Sequence, residues 1–196
     1  MADATAAIDT KARILEEAER LFRVYGYSKT TVADIADACG MSPSNVYRFF
    51  ASKAAINEAI CERIIATLES RLFTIVRLPR PASERLKLFI QELHRYTVEM
   101  LLDEKKVHDM VTAAIEEQWG TIVAHLDRTT ALIAEILKDG MQAGEFRQQD
   151  AARAAECVAM AIAALKHPVI VAQCMDRCNQ ATAEEMAAFV ISALKP

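Results

Sequence analysis

Apolar residues recur at helical spacing along almost the whole chain. Over residues 10–25, Ile14, Leu15, Ala18, Leu21, Phe22 and Tyr25 share one face, the signature of an amphipathic helix. A second set follows in Val32, Ile35, Ala36 and Cys39. Thr31 precedes it as a cap for the free amides, and Asp34, three residues on, completes a box-like start. Gly40 comes directly after the last apolar position, where a left-handed residue ends a helix with little strain. Ser42 predicts the next cap, and Pro43 falls at the first helical position, where a missing amide removes no bond. Val46 and Phe50 then turn inward with Phe49 at the edge, leaving Ser44, Asn45, Tyr47 and Arg48 facing out.

The pattern continues as longer helices. Ser52 predicts a cap for a helix over 53–77, with Ile56, Ile60, Ile64, Leu68 and Leu72 at four-residue spacing. Pro79 and Pro81 break it. A helix over 83–102 carries Leu86, Phe89, Ile90, Leu93, Thr97, Met100 and Leu101 on one face, and a less regular helix is expected over 106–115. Another long one, 117–140, shows Ile122, Leu126, Thr129, Ile133, Ile136 and Leu137. Gly26, Gly40, Gly140 and Gly144 each lie where a helical pattern stops, which reads as punctuation. Asp150 predicts the cap of a helix in which eight of residues 151–165 are alanine. Thr182 and Glu185 form a second capping box ahead of Met186, Phe189, Val190, Ala193 and Leu194. The fold class expected is all-α.

Composition narrows the function. The 196 residues allow one or two domains, and aromatic residues make up only 6%. The start of the chain lacks the basic and apolar segments of a secretory signal, and no apolar run is long enough to span a bilayer. Five cysteines without CxxC spacing read as reduced, buried thiols. These features predict a cytoplasmic protein without a membrane partner. A net charge of −4 argues against indiscriminate binding of nucleic acid. Residues 1–57 hold seven Lys/Arg and seven Asp/Glu, yet residues 38–57 contain Arg48 and Lys53 and no acid. The outward face of the second short helix is therefore locally positive.

Two short helices around a glycine turn, with a polar outer face on the second, form the unit that lays a helix in the major groove. Arg48, Ser44 and Asn45 suit base edges, arginine to guanine above all. Tyr47, Thr31, Lys29 and Lys53 suit phosphates. Lys53 is placed against the positive end of a helix dipole, and a bound anion would explain it.

The N-terminal block resembles the TetR family of bacterial transcriptional regulators. The resemblance rests on Tyr25-Gly26-Tyr27, Thr30-Thr31-Val32, Ile35-Ala36, Gly40-Met41-Ser42 and the run Val46 to Lys53, and covers about residues 10–65. Pro43 and Ala51 depart from the family's usual residues, and Pro43 leaves fewer side chains for base contacts. The resemblance implies a helix-turn-helix domain over residues 1–53 and a helical ligand-binding and dimerisation domain over 54–196. It also implies a palindromic operator in double-stranded DNA, bound by a homodimer and released by a small-molecule effector.

The alanine-rich helix and the last helix read as the dimer contact, through Ala155, Val158, Ala159, Ile162, Met186, Phe189 and Val190, paired with their copies in a four-helix bundle. The other reading is that they close the monomer's own core. Phe73, Phe89, Tyr96, Met100, Met110 and Trp119 are the residues expected to line an apolar or aromatic effector, with His94, His108 and His125 as polar anchors. Cys174, Cys178 and His167 have a spacing from which a soft-metal site could be built, but buried thiols are the commoner case, so no metal and no cofactor are expected. No phosphate-cradling glycine loop, nucleophile elbow or zinc-protease motif is present, which points away from an enzyme. The rival reading keeps the fold but replaces the effector with a protein partner or an architectural role.

Overall fold

The computed structural model describes residues 2–102, 120–174 and 181–196. All regular structure among them is helical. They form two compact units, residues 2–64 with 120–122 and residues 65–102 with 123–174 and 181–196.

The first unit contains α1 (Ala2–Tyr25), α2 (Val32–Ala38), α3 (Pro43–Tyr47) and the first half of α4 (Lys53–Val76). α1 begins well before residue 10, where the apolar pattern starts, because the preceding residues continue the helix. α1 packs on α2 and α2 on α3. Ile14, Ala18, Phe22, Ile35, Ala36, Val46, Ile56 and Ile60 are fully buried between them. Tyr25, expected on that face, is 58% exposed, because the helix ends there and the chain turns at Gly26.

α2 starts and stops as its sequence requires. The Asp34 amide donates to Thr31 Oγ1 at 3.2 Å, and the Thr31 amide donates to Asp34 Oδ2 at 2.7 Å. The two bonds satisfy free donors at both residues and hold the Asp34 carboxyl below its ordinary pKa, the Thr31 hydroxyl and amide being the cause. At the other end Gly40 takes φ +62°, its amide donates to Asp37 O at 3.0 Å, and the Met41 amide donates to Ala36 O at 2.9 Å. That pair of bonds is the Schellman stop.

Ser42 occupies the cap position of α3 in an extended conformation, but its hydroxyl makes no capping bond. The proline at the next position has already removed one of the amides it would serve. Ser52 does cap α4, accepting from the Ala55 amide at 3.1 Å.

The second unit contains the second half of α4, α5 (Ala82–Leu102), α6 (Gly120–Gln142, from Val123 on), α7 (Ala151–Ala161), α8 (Ala163–Lys166), α9 (Pro168–Cys174) and α10 (Ala183–Leu194). Its core joins Leu68, Leu72, Leu86, Phe89, Ile90, Leu93, Ile133, Ile136 and Leu137 with Ala155, Val158, Val190 and Leu194. The division between the units therefore falls inside α4. Its early isoleucines fill one core and its later leucines the other. Leu126, expected on the buried face of α6, is exposed.

Two features of this unit are absent from the sequence reading. Gly140 lies inside α6 rather than at its end, and a Cβ there would come within 2.2 Å of the Phe146 ring. It is a close-approach glycine. The Schellman stop belongs to Gly144, whose amide donates to Met141 O at 3.3 Å while the Glu145 amide donates to Gly140 O at 2.8 Å. The Glu145 carboxylate then caps α5, accepting from the Ala82 amide at 2.8 Å, the Ser83 amide at 3.0 Å and the Ser83 hydroxyl at 2.7 Å. Burial works to raise its pKa, but these bonds prevail and hold it low.

The alanine-rich stretch is not one helix. It breaks at Ile162 (φ −92°, ψ 7°), runs one more turn, and breaks again at His167 before Pro168. Asp150 caps its start, accepting from the Ala152 and Arg153 amides at 2.9 and 3.1 Å. The helix expected over 106–115 lies outside the described residues.

Candidate nucleic-acid interface

The outward face of α3 has the chemistry its sequence predicts. Val46 is fully buried and anchors the helix, and Phe50 closes the core behind it. Pro43, Ser44, Tyr47 and Arg48 are exposed, and Asn45 is half-buried. Arg48 is the C-cap residue, so α3 itself spans only five residues. Winding continues beyond it, with the Phe49 and Phe50 amides donating to Val46 O at 2.9 and 3.1 Å. Lys29 and Thr31 are exposed as well. The Thr31 hydroxyl is already engaged, donating to Asp34 Oδ2 at 2.7 Å while accepting from the Asp34 amide.

Lys53 has partners that its sequence position did not reveal. The cation at a helix start is met from inside the protein. Its Nζ donates to Tyr27 O at 2.9 Å and Thr30 O at 3.1 Å and stands 4.4 Å from the centre of the Tyr27 ring. Two carbonyls and a ring face offset the unfavourable end of the helix dipole. Tyr27 in turn meets Phe22 edge-on at 5.2 Å, and buried Thr30 donates its hydroxyl to Gly26 O at 2.9 Å. Lys53 thus ties the α1–α2 turn to the start of α4. Sequence reasoning gave Tyr27 and Thr30 no part in this; the signal was the awkward position of Lys53, which demands a partner somewhere. Arg13 plays a similar part at the end of α2, donating to Cys39 O at 3.1 Å. The thiols of Cys39 and Cys61 are buried, and burial pushes Cys61 up to about 12, with Glu58, Glu19 and Glu62 adding to the shift. Such thiols are unreactive. Cys157, in contrast, is exposed, so not all the cysteines are core residues.

The residues expected to line an effector divide. Phe89 is fully buried and belongs to the core of the second unit. Phe73 is 51% exposed on α4 with the Arg77 guanidinium 4.7 Å from its ring. Tyr96 and Met100 are half-buried on α5, with the Arg71 guanidinium 5.1 Å from the Tyr96 ring. Met110, Trp119 and His108 lie outside the described residues. His94 Nδ1 is 3.0 Å from Leu165 O, and His125 Nδ1 is 2.9 Å from Glu69 Oε1. Cys178 also lies outside the described residues. Among the described residues no group of three potential ligands is placed to hold a metal.

The expected dimer seam divides in the same way. Ala155, Val158, Ile162 and Val190 are buried within a single chain, because the small residues of α7 let their own neighbours approach. These four are core residues, not surface for a partner. Ala159 and Met186 are half-buried. Phe189 is 68% exposed, and Met160, which the sequence reading passed over, is 76% exposed.

A capped helix, a glycine turn and a second helix with a polar outer face define a helix-turn-helix DNA-binding regulator. Residues 14–60 match the model of the bacterial regulatory proteins of the tetR family, and residues 82–187 match that of the tetracyclin repressor-like C-terminal domain. The chain belongs to the TetR family of transcriptional regulators. It is 38% identical over 61 residues to the HTH-type transcriptional regulator TtgR of Pseudomonas putida, a match covering 31% of this chain and 29% of that one. The chain thus spans less than a third of that relative's length. A TetR/AcrR-family regulator from Thermobifida fusca superposes with a TM-score of 0.68 at 21% identity, covering 94% of this chain and 95% of that one. FadR of Bacillus subtilis, solved in complex with stearoyl-CoA, gives 0.63 at 18% identity, covering 92% and 95%. At those identities the two structures speak to the fold alone. No helix among the described residues is long and apolar enough to cross a membrane.

Proposed function

We propose that the chain is a ligand-responsive repressor that binds a palindromic operator as a homodimer and leaves it when a small apolar or aromatic effector binds the second unit. The observation that carries this reading is the outward face of α3. Ser44, Tyr47 and Arg48 stand exposed on a helix whose inner side is fixed by fully buried Val46. Ser44, Asn45 and Arg48 read base edges, and Lys29 and Tyr47 hold phosphates, with Pro43 setting the angle of entry. Thr31 acts by fixing the start of α2. Lys53 acts by fixing the turn that precedes it.

Two copies are needed on physical grounds. Five helical residues and a near-neutral surround yield modest affinity for one half-site. A dimer places two such helices about one DNA turn apart. Met160 and Phe189 support a contact made by the exposed sides of α7 and α10, since large apolar side chains left in water mark interaction surfaces. The effector reading is supported by the half-buried Tyr96 and Met100, and by the fold shared with a regulator solved in complex with stearoyl-CoA. Ligand and operator then compete through one conformational equilibrium, so each weakens the other by the same factor.

The test is to map the binding sites of the tagged chain across its own genome, then add candidate effectors drawn from the products of adjacent genes. The reading predicts few strong sites with two-fold symmetry and loss of binding with one effector class. Diffuse occupancy without a repeated half-site would overturn it.

A further inference from the structure

The buried stripe of α1 is formed by Ile14, Leu15, Ala18, Leu21 and Phe22. One turn before Ile14 and Leu15, the same face of the helix carries Lys11. The pattern calls for another apolar residue there. The lysine is nonetheless exposed, because the core ends beneath it. Its Nζ stands 5.2 Å from the centre of the ring of Phe50, the residue that closes the core behind α3. Phe50 follows closely on Arg48, the C-cap of α3. The inner face of α1 therefore brings a cation to the end of α3. Arg13 fixes this part of α1 to the end of α2, donating to Cys39 O at 3.1 Å.

Two other cations of α1 are neutralised within the helix. Arg20 pairs with Glu17 at 2.8 Å, and Arg23 pairs with Glu19 at 2.8 Å. Their acids lie three and four positions back, where helix neighbours meet. At the corresponding positions on either side, Lys11 has Ala7, Ile8, Ile14 and Leu15, none of them an acid. No ion pair joins Lys11 to a carboxylate among the described residues. Residues 38–57, which include α3 and Phe50, contain no acid either. A ring face gives an exposed lysine little, so its charge stays open to an anion from outside the chain.

We infer that Lys11 holds a phosphate of the DNA strand beside the groove that α3 enters, so that the first helix of the unit is part of the contact surface. This rests on the operator-binding reading above and adds a residue to it. A phosphate fits better than a base edge. Lys11 is a flexible point charge beyond the end of α3, not a planar fork on its outward face.

The test uses the full chain, a duplex that it enriches from a random pool, and a shuffled duplex of the same length and composition. Affinity is read by fluorescence anisotropy between about 50 and 200 mM salt. Lys11→Met keeps an apolar stem over Phe50 and removes the charge. It should weaken binding to both duplexes and make the slope of log K against log salt shallower by about 0.9 for each chain bound. The sequence it enriches should match the parent's. Lys11→Gln, a second neutral variant, should behave alike, and Lys11→Arg should keep the parent's slope. An unchanged slope in both neutral variants would overturn the inference and leave operator binding standing, and so would a loss confined to the enriched duplex. Affinity lost in step with melting temperature, at the parent's slope, would make Lys11 a packing residue and overturn it too. A parent chain that enriches no sequence from the pool would count against the operator reading and the inference together.

Discussion

α3 and α7 are both short helices whose inner side rests on buried aliphatic residues, yet their outer sides differ in kind. α3 presents Ser44, Tyr47 and Arg48 to solvent, groups with hydrogen-bond donors to offer a polyanion. α7 presents Met160, and α10 presents Phe189, groups that gain only by leaving water. The inner sides differ as well. Val46 alone fixes α3, whereas α7 is held by Val158 together with Ala154 and Ala155, whose small volume lets neighbouring helices come close. The contrast separates a polar surface suited to a polyanion from an apolar surface suited to leaving water.

The sharpest way to break this comparison is to place a charge on the apolar side. Phe189→Arg should yield monomers by sedimentation and weaken operator binding by about 2 kcal/mol or more, as loss of a central interface residue does. An intact dimer would move the contact elsewhere. Next in size is Lys53→Ala. It removes two charge-assisted bonds to carbonyls and should destabilise the first unit by about 1–3 kcal/mol. It should weaken binding to all sequences alike. A loss of DNA affinity with an unchanged melting temperature would instead make Lys53 a direct phosphate contact.

Gly140→Ala probes the packing of the second unit. The new Cβ would meet the Phe146 ring, so about 1–3 kcal/mol of stability should be lost. Phe146→Leu in the same chain should restore part of it, and no recovery would mean that the ring is not the obstacle. The smallest effect concerns pH. His125 has a folded-state pKa below its ordinary value, with burial as the leading cause. The unfolded chain therefore binds the proton more tightly. The stability attached to His125 is complete above about pH 6.5 and falls as pH drops toward the lowered value. His125→Gln should flatten the melting temperature across that window, and an unchanged slope would assign the dependence to other groups.

The comparison also explains what the sequence made legible. α2 could be read to the residue because its ends are set by local chemistry: Thr31 with Asp34 at one, Gly40 at the other. Such bonds lie within a few positions of each other and leave a fixed pattern. Tyr27, Thr30 and Lys53 meet across more than twenty positions, so the lysine was visible as an anomaly while its partners were not. The alanine-rich helix was misread for a different reason. Alanine suits a tight contact with any helix, in the same chain or in a copy, so composition cannot say which side is inside. Ala155 and Val158 turned out to face the chain's own core. Met160, which breaks the small-residue pattern, stands on the open side. Gly140 was taken for a stop because Gly144, four residues on, performs that role with the same residue type.

Selection of binding sites from random duplexes by the full chain and by Arg48→Ala tests the central claim most directly. The account predicts an enriched motif with two symmetric half-sites one helical turn or a multiple apart. It further predicts that Arg48→Ala, with an unchanged melting temperature, loses about 1–3 kcal/mol of discrimination at one base pair in each half-site. An unrepeated motif, or a preference unchanged in Arg48→Ala, would contradict it.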